Sequence, residues 1–377
     1  MRSDKYELQY FESNKAKAIR MGSSQYWYGH WVDLRSLFCG GTHTTISLLG
    51  SWTFIIWNHF DVILCSTRES DTGEIGLYMS YRIDKSEILK ENLRIGFIGA
   101  GRAANVIATA LSDCGYTISS ISSRKASSAT SLSEHILNCA PSSNIQDTAT
   151  ECHIIFVTTP DDVIPLVAKS ILWKSGCIVL HCSGSKTLEV LKPARDQGAA
   201  IGSLHPIQTF SGEIGNKESL KGVTFAIDGE DDVLDILRVL VSDLGGFPVI
   251  IAPELRPLYH ISAFLACGGL VTLLSKASSL WECMGYDDST GLQSLLPLIK
   301  KTIENVESKG IYQSMTGPVI RGDIGTIAEH IESINKQSPD TMYIYKSLSK
   351  YAAKLSSENG GIDYNTSQQI IDLIENG

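Results

Sequence analysis

The sequence predicts an α/β fold in which a doubly wound parallel sheet is followed by an all-helical C-terminal domain. The first observation is the alternation of short apolar runs with helical segments over residues 93–251, which is typical of parallel strands joined by crossover helices. The second is that only helical patterns remain beyond Pro253. We therefore divide the chain into an N-terminal extension (residues 1–92), an α/β domain (residues 93–252) and a helical domain (residues 253–377).

The first predicted strand of the α/β domain ends in a glycine turn that leads directly into a helix. Gly99 allows the tight turn, Gly101 lets the backbone approach a phosphate, and Ala104 stands where Gly or Ala permits close packing of helix on strand. The helix start, with Arg102 and Ala103, offers free N–H groups that attract an anion. The pattern is the GxGxxA fingerprint of a Rossmann dinucleotide site, although glycine turns also serve as simple strand–helix corners.

The end of the second predicted strand, residues 116–122, indicates which dinucleotide binds. An NAD site places an acidic residue here to bind the ribose 2′-hydroxyl, but this strand runs into Ser122, Ser123 and Arg124. Two hydroxyls and a guanidinium suit a 2′-phosphate, which arginine can bind bidentately. The alternative is a solvated basic turn whose serine caps the next helix. Because these residues lie at the expected ribose position, the sequence favours NADP over NAD.

The later apolar runs predict the rest of the sheet. Strands are predicted at residues 152–158, 176–182, 199–203, 223–227 and 247–251, with a helix at 231–244 between the last two. Ligands of a doubly wound sheet bind beyond the carboxyl ends of its strands, where the strand order reverses. The carboxyl ends of two neighbouring predicted strands carry Thr158, Thr159, Pro160 and Asp161 on one, and Ser183 and Gly184 on the next. We therefore predict that the first three contact the cofactor and that Ser183 contacts the substrate.

The helical domain begins with its most apolar segment. Residues 258–284 carry few charges and are apolar on most faces, which predicts a buried central helix. Further helices are predicted at residues 292–308, 324–336, 339–357 and 366–374.

Composition excludes several classes of protein. The chain carries 32 Lys and Arg against 41 Asp and Glu, a net charge of −9, and has no domain-scale basic stripe. This argues against nucleic acid as the main partner. The nine cysteines are scattered, with no CxxC pair and no Cys/His cluster at zinc spacing. We therefore expect reduced thiols in a cytoplasmic protein, without a disulfide framework or a metal site.

The N-terminal extension shows no strand–helix alternation. Residues 46–65 are apolar enough to raise the question of a membrane anchor, but Asn58, His59 and Asp61 interrupt them, and a span needs about 20 apolar residues. A signal peptide's order of basic start, apolar run and cleavage site is also missing. The favoured hypothesis is a natural start at Met79, and a weak membrane anchor is the competing one.

Six short segments, in this order, resemble one known family. They are residues 99–104 (GAGRAA), 159–162 (TPDD), 181–184 (HCSG), 202–210 (GSLHPIQTF), 259–260 (YH) and 316–323 (TGPVIRGD). Together they resemble the Rossmann-like NADP oxidoreductases that carry a C-terminal helical domain of unknown function, which is 6-phosphogluconate-dehydrogenase-like. That family is related to ketopantoate reductases and to deazaflavin-dependent NADP oxidoreductases. The resemblance covers about residues 93–357 and implies NADP binding, reductase activity on an unassigned small molecule and, by analogy, a homodimer.

A reductase of this kind needs a proton donor beside the carbon that accepts the hydride. Tyr259 and His260 lie at the start of the long helix, where related dehydrogenases commonly place a catalytic lysine, so His260 is the first candidate for the general acid. His205, expected on the loop after the sixth strand, is the second, because histidine titrates near neutrality. The alternatives are a loop-fixing histidine for His205 and a core histidine for His260.

Three further residues are candidates for holding the substrate. Gln208 follows His205 on the predicted loop, and Arg321 with Asp323 lies on a glycine-flanked loop of the helical domain. Arg321 could clamp a carboxylate bidentately. The alternative is an Arg–Asp pair that only orders the loop.

One departure from the family pattern bears on catalysis. The family carries an asparagine about two turns after the histidine of the long helix, where this chain has Cys267, Gly268 and Gly269. Thr272 is a candidate substitute for the missing amide. Two functions therefore remain open: an NADP-dependent reductase of a small carbonyl or imine acid, and a non-catalytic NADP-binding sensor or scaffold. Deazaflavin-dependent hydride transfer to NADP is a third, implied by kinship alone.

Overall fold

The computed structural model describes Lys90 and residues 93–377 in full, and the backbone of six strands between residues 9 and 84. The chain divides into two compact units, Met1–Ile261 and Ser262–Gly377.

The N-terminal segment forms a sheet separate from that of the α/β domain. Its strands are β1 (Gln9–Ser13), β2 (Ala16–Met21), β3 (Ile46–Leu49), β4 (Thr53–Asn58), β5 (Asp61–Glu69) and β6 (Ile75–Asp84). They are antiparallel in the order β1-β2-β6-β5-β4-β3. The apolar residues 46–65, which raised the question of an anchor, thus contribute to three strands. Met79 lies inside β6, opposite Cys65.

The α/β domain is built on an eight-stranded sheet. Its strands are β7 (Arg94–Ile98), β8 (Thr117–Ser122), β9 (Ala140–Ser142), β10 (Ile154–Val157), β11 (Ile178–His181), β12 (Ala200–Pro206), β13 (Thr224–Gly229) and β14 (Phe247–Ile250). The order is β14-β13-β12-β11-β10-β7-β8-β9. The strand order reverses between β7 and β10, so the predicted doubly wound fold is confirmed.

One strand pair differs from the expected parallel sheet. β12 and β13 are antiparallel, with His205 opposite Ala226, whereas the other neighbours in this sheet are parallel. A parallel return needs a crossover, usually an α-helix. The connection between β12 and β13 forms only a short 3-10 turn, Lys217–Leu220. The chain therefore comes back directly beside β12.

Helices cover both faces of this sheet. They are α1 (Arg102–Asp113), α2 (Ala126–Ser133), α3 (Ile145–Glu151), α4 (Ile164–Ser170), α5 (Lys192–Arg195) and α6 (Asp231–Asp243). Successive side chains of a strand point to opposite faces. Phe97 and Phe156 therefore stack at 4.9 Å between ring centroids in one core, while Ile155 lies in the other.

The second unit is helical, as predicted. α7 (Arg256–Phe264) leads into it, and α8 (Leu270–Ser279), α9 (Asp288–Lys309), α10 (Pro318–Arg321), α11 (Ile324–Gln337), α12 (Met342–Glu358) and α13 (Tyr364–Asn376) follow. Its small core includes Ile327, Ala353 and Ile370.

The expected buried central helix over residues 258–284 is wrong in two respects. A π-helical turn at Leu265–Gly269, which contains two glycines, separates α7 from α8. Apolar side chains along residues 258–284 are also exposed: Leu258 by 64%, Leu265 by 63% and Val271 by 63%. The apolar pattern was real, but the residues that the structure describes leave these side chains exposed.

Among the residues described, Pro253–Met284 is one helical stretch with the length and composition of a membrane span, at a mean hydropathy of 1.6.

Candidate functional site

The glycine turn between β7 and α1 has the geometry of a phosphate cradle. Gly99 has φ +113°, and its N–H donates to Ser122 O at 2.7 Å. A Cβ at Gly99 would lie 2.8 Å from the carbonyl carbon and oxygen of Thr158, so only glycine fits. Gly101 is the N-cap of α1, contributes no capping side chain, and would keep a Cβ 4.0 Å from its nearest neighbour. The first N–H groups of α1 therefore face an open approach.

The residues after β10 complete this edge of the sheet. Thr158 donates from its backbone N–H to Ile98 O at 2.9 Å and from its hydroxyl to Gly99 O at 2.7 Å. Thr159 Oγ1 is buried and has no hydrogen-bond partner in the described part of the chain, while Pro160 is exposed. A buried unpaired hydroxyl at the point where the strand order reverses is a group that a bound ligand can satisfy.

The predicted 2′-phosphate residues take different positions at the end of β8. Ser122 is fully buried and its hydroxyl lies 3.4 Å from Phe97 O. Ser123 is half-buried and Arg124 is exposed. A phosphate at this strand end would therefore meet Ser123 and Arg124 first.

A cavity of about 310 Å³ links the glycine turn to α2, the helix that follows Arg124. It is lined by Ala100, Asn105, Ser127, Ser128 and Ser131. The three α2 serines were missed in the sequence. The signal that could have found them was the serine-rich run directly after Arg124, which we assigned only to a helix start.

A histidine and a tyrosine 54 residues apart in sequence form a hydrogen-bonded pair. His205 Nδ1 lies 2.6 Å from Tyr259 OH, and the His260 ring lies 6.4 Å from that of His205, measured between centroids. His205 was expected on a loop, but β12 continues through Pro206 and places His205 within the strand. The three predicted catalytic residues therefore lie together within the first unit.

Burial keeps both members of the pair neutral. Burial lowers the pKa of His205 to about 4. The charges of His260 and Arg256 lower this pKa further, and the carboxylate of Asp161 raises it. Burial raises the pKa of Tyr259 to about 12, against a lowering by Arg256. Near pH 7 one proton occupies the bond between the two side chains, donated by either partner. The pair then retains one further proton, on His205 Nε2 or on the Tyr259 oxygen, that this bond does not use.

Gly184, on the loop after β11, makes room for both histidines. A Cβ there would lie 2.7 Å from His205 Cε1, 2.8 Å from His205 Nε2 and 2.9 Å from His260 Cδ2. The sequence placed Gly184 beside Ser183 at this strand end but did not predict its role, because the close approach depends on residues distant in sequence.

Ser183 is engaged within the protein. Its hydroxyl donates to Asp161 Oδ2 at 2.7 Å, and Ser185 donates to the same oxygen at 3.0 Å. Ser183 Oγ also accepts from the backbone N–H of Lys186 at 3.1 Å. These bonds fix the loop that carries Gly184, so the structure gives Ser183 a supporting place and its contact with substrate stays a prediction.

Arg256 is a charged residue of this region that sequence reasoning missed. It opens α7, is fully buried, and donates to Ser203 Oγ at 3.1 Å and to Ser183 O at 2.9 Å. Asp228 Oδ2 lies 3.6 Å from its Nη1. A charged residue at a helix start ordinarily suggests a solvated position, so no pattern indicated its burial.

The remaining candidates make local contacts. Gln208 is exposed and accepts from Thr209 N at 2.9 Å. In the second unit, Arg321 and Asp323 form a loose ion pair at 4.0 Å, and Asp323 caps α11 through Thr326. The hydrogen bonds from Thr326 lower the pKa of Asp323. This geometry favours the loop-ordering alternative for Asp323.

Two family models match successive parts of the chain. Residues 79–206 match the Rossmann-like domain, and residues 223–352 match a domain of unknown function, DUF2520. The resemblance drawn from the six motifs is thereby confirmed. A comparison with curated proteins gave no match.

Solved structures share the fold. The proposed NADP oxidoreductase BF3122 of Bacteroides fragilis is 22% identical, with a TM-score of 0.58 over 70% of this chain and 98% of that one. Protein TM1727 of Thermotoga maritima is 24% identical, with a TM-score of 0.57 over 70% and 99%. A reductive aminase of Aspergillus terreus, in complex with NADPH and ethyl levulinate, is 16% identical, with a TM-score of 0.51 over 75% and 99%.

Proposed function

We propose that this chain, a Rossmann-like domain followed by DUF2520, is a cytoplasmic NADPH-dependent reductase of a small carbonyl or imine acid. The observation that carries the proposal is the glycine turn of Gly99 and Gly101 at the point of strand reversal. It leaves the start of α1 open to a pyrophosphate, while Thr158 excludes any side chain at Gly99. The relatives with named chemistry, a proposed NADP oxidoreductase and a reductive aminase, support the same class of reaction.

Each part of the site has a place in this reaction. When bound, NADPH would supply the hydride. The N–H groups of α1 hold the pyrophosphate, and Ser123 with Arg124 binds the 2′-phosphate. When Tyr259 donates to His205 Nδ1, the proton on His205 Nε2 forms a hydrogen bond to the substrate's oxygen or nitrogen and so polarises the carbon that accepts the hydride. His260, exposed beside the pair, donates the proton that completes the reduction.

A non-catalytic NADP-binding sensor is the second candidate. It is favoured by the loss of the family's asparagine near Gly268, where the helix forms a π-turn instead. Replacing His205 and His260 distinguishes the two, since only an enzyme would lose turnover while keeping its affinity for the cofactor.

The cofactor assignment predicts a preference for NADPH that depends on Arg124. Arg124→Gln should weaken NADPH binding by about tenfold, because a charge-assisted hydrogen bond to phosphate is lost at an exposed site. NADH, which lacks the 2′-phosphate, serves as the internal control, and its affinity should not change. Fluorescence titration of the full chain with each nucleotide measures both. Equal affinities of the wild-type protein for NADPH and NADH would contradict the assignment, and binding of neither would refute the proposed function.

We further propose that a second copy of the chain covers the apolar face around the π-turn. Phe264, Leu265 and Val271 are each more than half exposed, and the charged Lys276 of α8 is paired with Asp340. An exposed apolar face with few charges is typical of the core of a homodimer interface.

The proposed dimer should dissociate when charged residues are placed on this apolar face. Leu265→Asp combined with Val271→Asp should convert a dimer into a monomer in sedimentation velocity, because two carboxylates per chain would be buried without partners. Tyr364→Asp, at an exposed residue of α13, is the matched control. A wild-type chain that sediments as a monomer at micromolar concentration would refute this proposal.

A further inference from the structure

Arg256 connects three separate segments around the His205–Tyr259 pair. Its guanidinium reaches Ser203 on β12, the carbonyl of Ser183 after β11, and Asp228 on β13. The residue has no exposed surface. Burying a cation costs free energy unless several partners compensate it. A buried arginine beside a candidate site therefore indicates that the site needs its positive charge or the geometry that its hydrogen bonds impose.

Two of these contacts, those with Ser203 and Ser183, lie next to residues of the candidate site. Ser203 lies two residues before His205 on the same strand, so both side chains point to the same face of the sheet. Ser183 precedes Gly184, on which both imidazole rings pack. Arg256 itself lies one helical turn before Tyr259 and His260, on the same side of α7.

We infer that Arg256 is the positioning residue of the His205–Tyr259 pair. Its guanidinium holds β12, the Gly184 loop and the first turn of α7 in one register, so that His205 Nδ1 and Tyr259 OH meet. The inference rests on the proposed function for its catalytic meaning, but the geometry that it explains does not require a substrate.

The positive charge of Arg256 also helps to keep His205 neutral, as burial does. His205 is faced by His260, Tyr259 and Arg256 from α7, by Asp161 from the loop after β10, and by His181 from the neighbouring strand β11. A nearby cation disfavours the protonated imidazole, so Arg256 lowers the pKa of His205 in addition to the larger effect of burial. Removing the cation should therefore raise that pKa and bring protonation of His205 closer to neutrality.

The test is the titration of His205 by ¹⁵N NMR in the full chain, assigned with the variant His205→Gln. In the wild-type protein, the ring should stay neutral down to about pH 4, with Nδ1 shifted by its hydrogen bond. In Arg256→Met, which preserves volume, the titration should move to higher pH, and the Nδ1 shift should revert toward that of a free ring. Arg256→Lys keeps the positive charge, so the pKa of His205 should remain close to its wild-type value. The hydrogen bond between His205 and Tyr259 should nevertheless be lost, since an ammonium group cannot bind two partners in one plane as the guanidinium does.

Two further measurements separate the possible failures. Ser203→Ala removes one contact of Arg256 while keeping its charge. The titration of His205 should stay in place, while its Nδ1 shift should move part of the way toward that of a free ring. If Arg256→Met does not fold, this variant is the test, and an unchanged Nδ1 shift would contradict the inference. With a substrate in hand, kcat should fall at least tenfold in Arg256→Met while NADPH affinity changes less than twofold. If His205 in folded Arg256→Met titrates and hydrogen-bonds as in the wild type, the inference is wrong. If Arg256→Met shows the expected changes at His205 but the wild-type protein binds no NADPH, the proposed function fails and the positioning role stands.

Discussion

Replacing Gly184 by alanine should lower kcat of the reductase about a hundredfold while leaving NADPH affinity nearly unchanged. The added methyl group would lie 2.7 Å from His205 Cε1 and 2.9 Å from His260 Cδ2, well inside contact distance. Both imidazoles must move by several tenths of an ångström or more to relieve the overlap. Displacement of catalytic groups on the scale of 1 Å is enough for a loss of this size.

The loss should come from geometry and only slightly from stability. The atoms that meet the new methyl group belong to side chains and not to backbone, so the two rings can rotate away without moving β12, which carries His205, or α7, which carries His260. Gly325→Ala in α11 is the matched control, because a Cβ there has its nearest neighbour at 3.9 Å. Steady-state kinetics, NADPH titration and thermal unfolding of both variants check the prediction. A Gly184→Ala protein with wild-type kcat would show that neither histidine takes part in the reaction where the structure places it.

The sequence was sufficient for the features that local chemistry determines. Gly99 and the apolar run before it predicted the turn, the strand and the helix, because a positive φ and a buried parallel strand each leave a direct trace in residue type. Most strand ends fall within two residues of their predicted positions for the same reason. His205 was chosen separately from the adjacent pair Tyr259 and His260, and the structure brings the three together.

The missed features depend on contacts between distant segments. Arg256 is buried because Ser183, Ser203 and Asp228 surround it, and nothing within α7 indicates that. The antiparallel β13 follows from the lack of an α-helix between it and β12. The exposure of Leu265 and Val271 was unpredictable for a different reason, since an apolar helix looks the same whether its own chain or another one covers it.

The second large effect that we expect is loss of stability in mild acid. Burial, with a smaller contribution from Arg256, lowers the pKa of His181 to about 3, and burial lowers that of His205 to about 4. In the unfolded chain both return to about 6.5. Between those values the unfolded state binds more protons than the folded one, so stability is complete above pH 6.5 and is lost as pH falls.

Each histidine can contribute up to about 1.4 kcal/mol per pH unit in that window, so the two together set an upper limit of about 3 kcal/mol per unit. Asp228 opposes them at lower pH, because burial raises its pKa and the folded state then binds its proton more readily. Urea unfolding at pH 7, 6 and 5 should therefore show a free energy of unfolding that decreases steadily with acidification.

Substitutions of single histidines show which group causes the pH dependence of the unfolding free energy. His181→Gln should reduce the pH dependence of the unfolding free energy by up to about half, whatever it does to stability at pH 7, because one of the two most strongly shifted histidines is gone. His153, whose pKa is also lowered, by burial first, retains a smaller contribution. His135→Gln, at an exposed residue of the first unit, is the matched control and should leave the slope in place. A wild-type unfolding free energy that is constant from pH 7 to pH 5 would mean that the folded state protonates these histidines as easily as the unfolded one. The neutral His205 on which the polarising role depends would then be lost as well, so this measurement also tests the chemistry of the site.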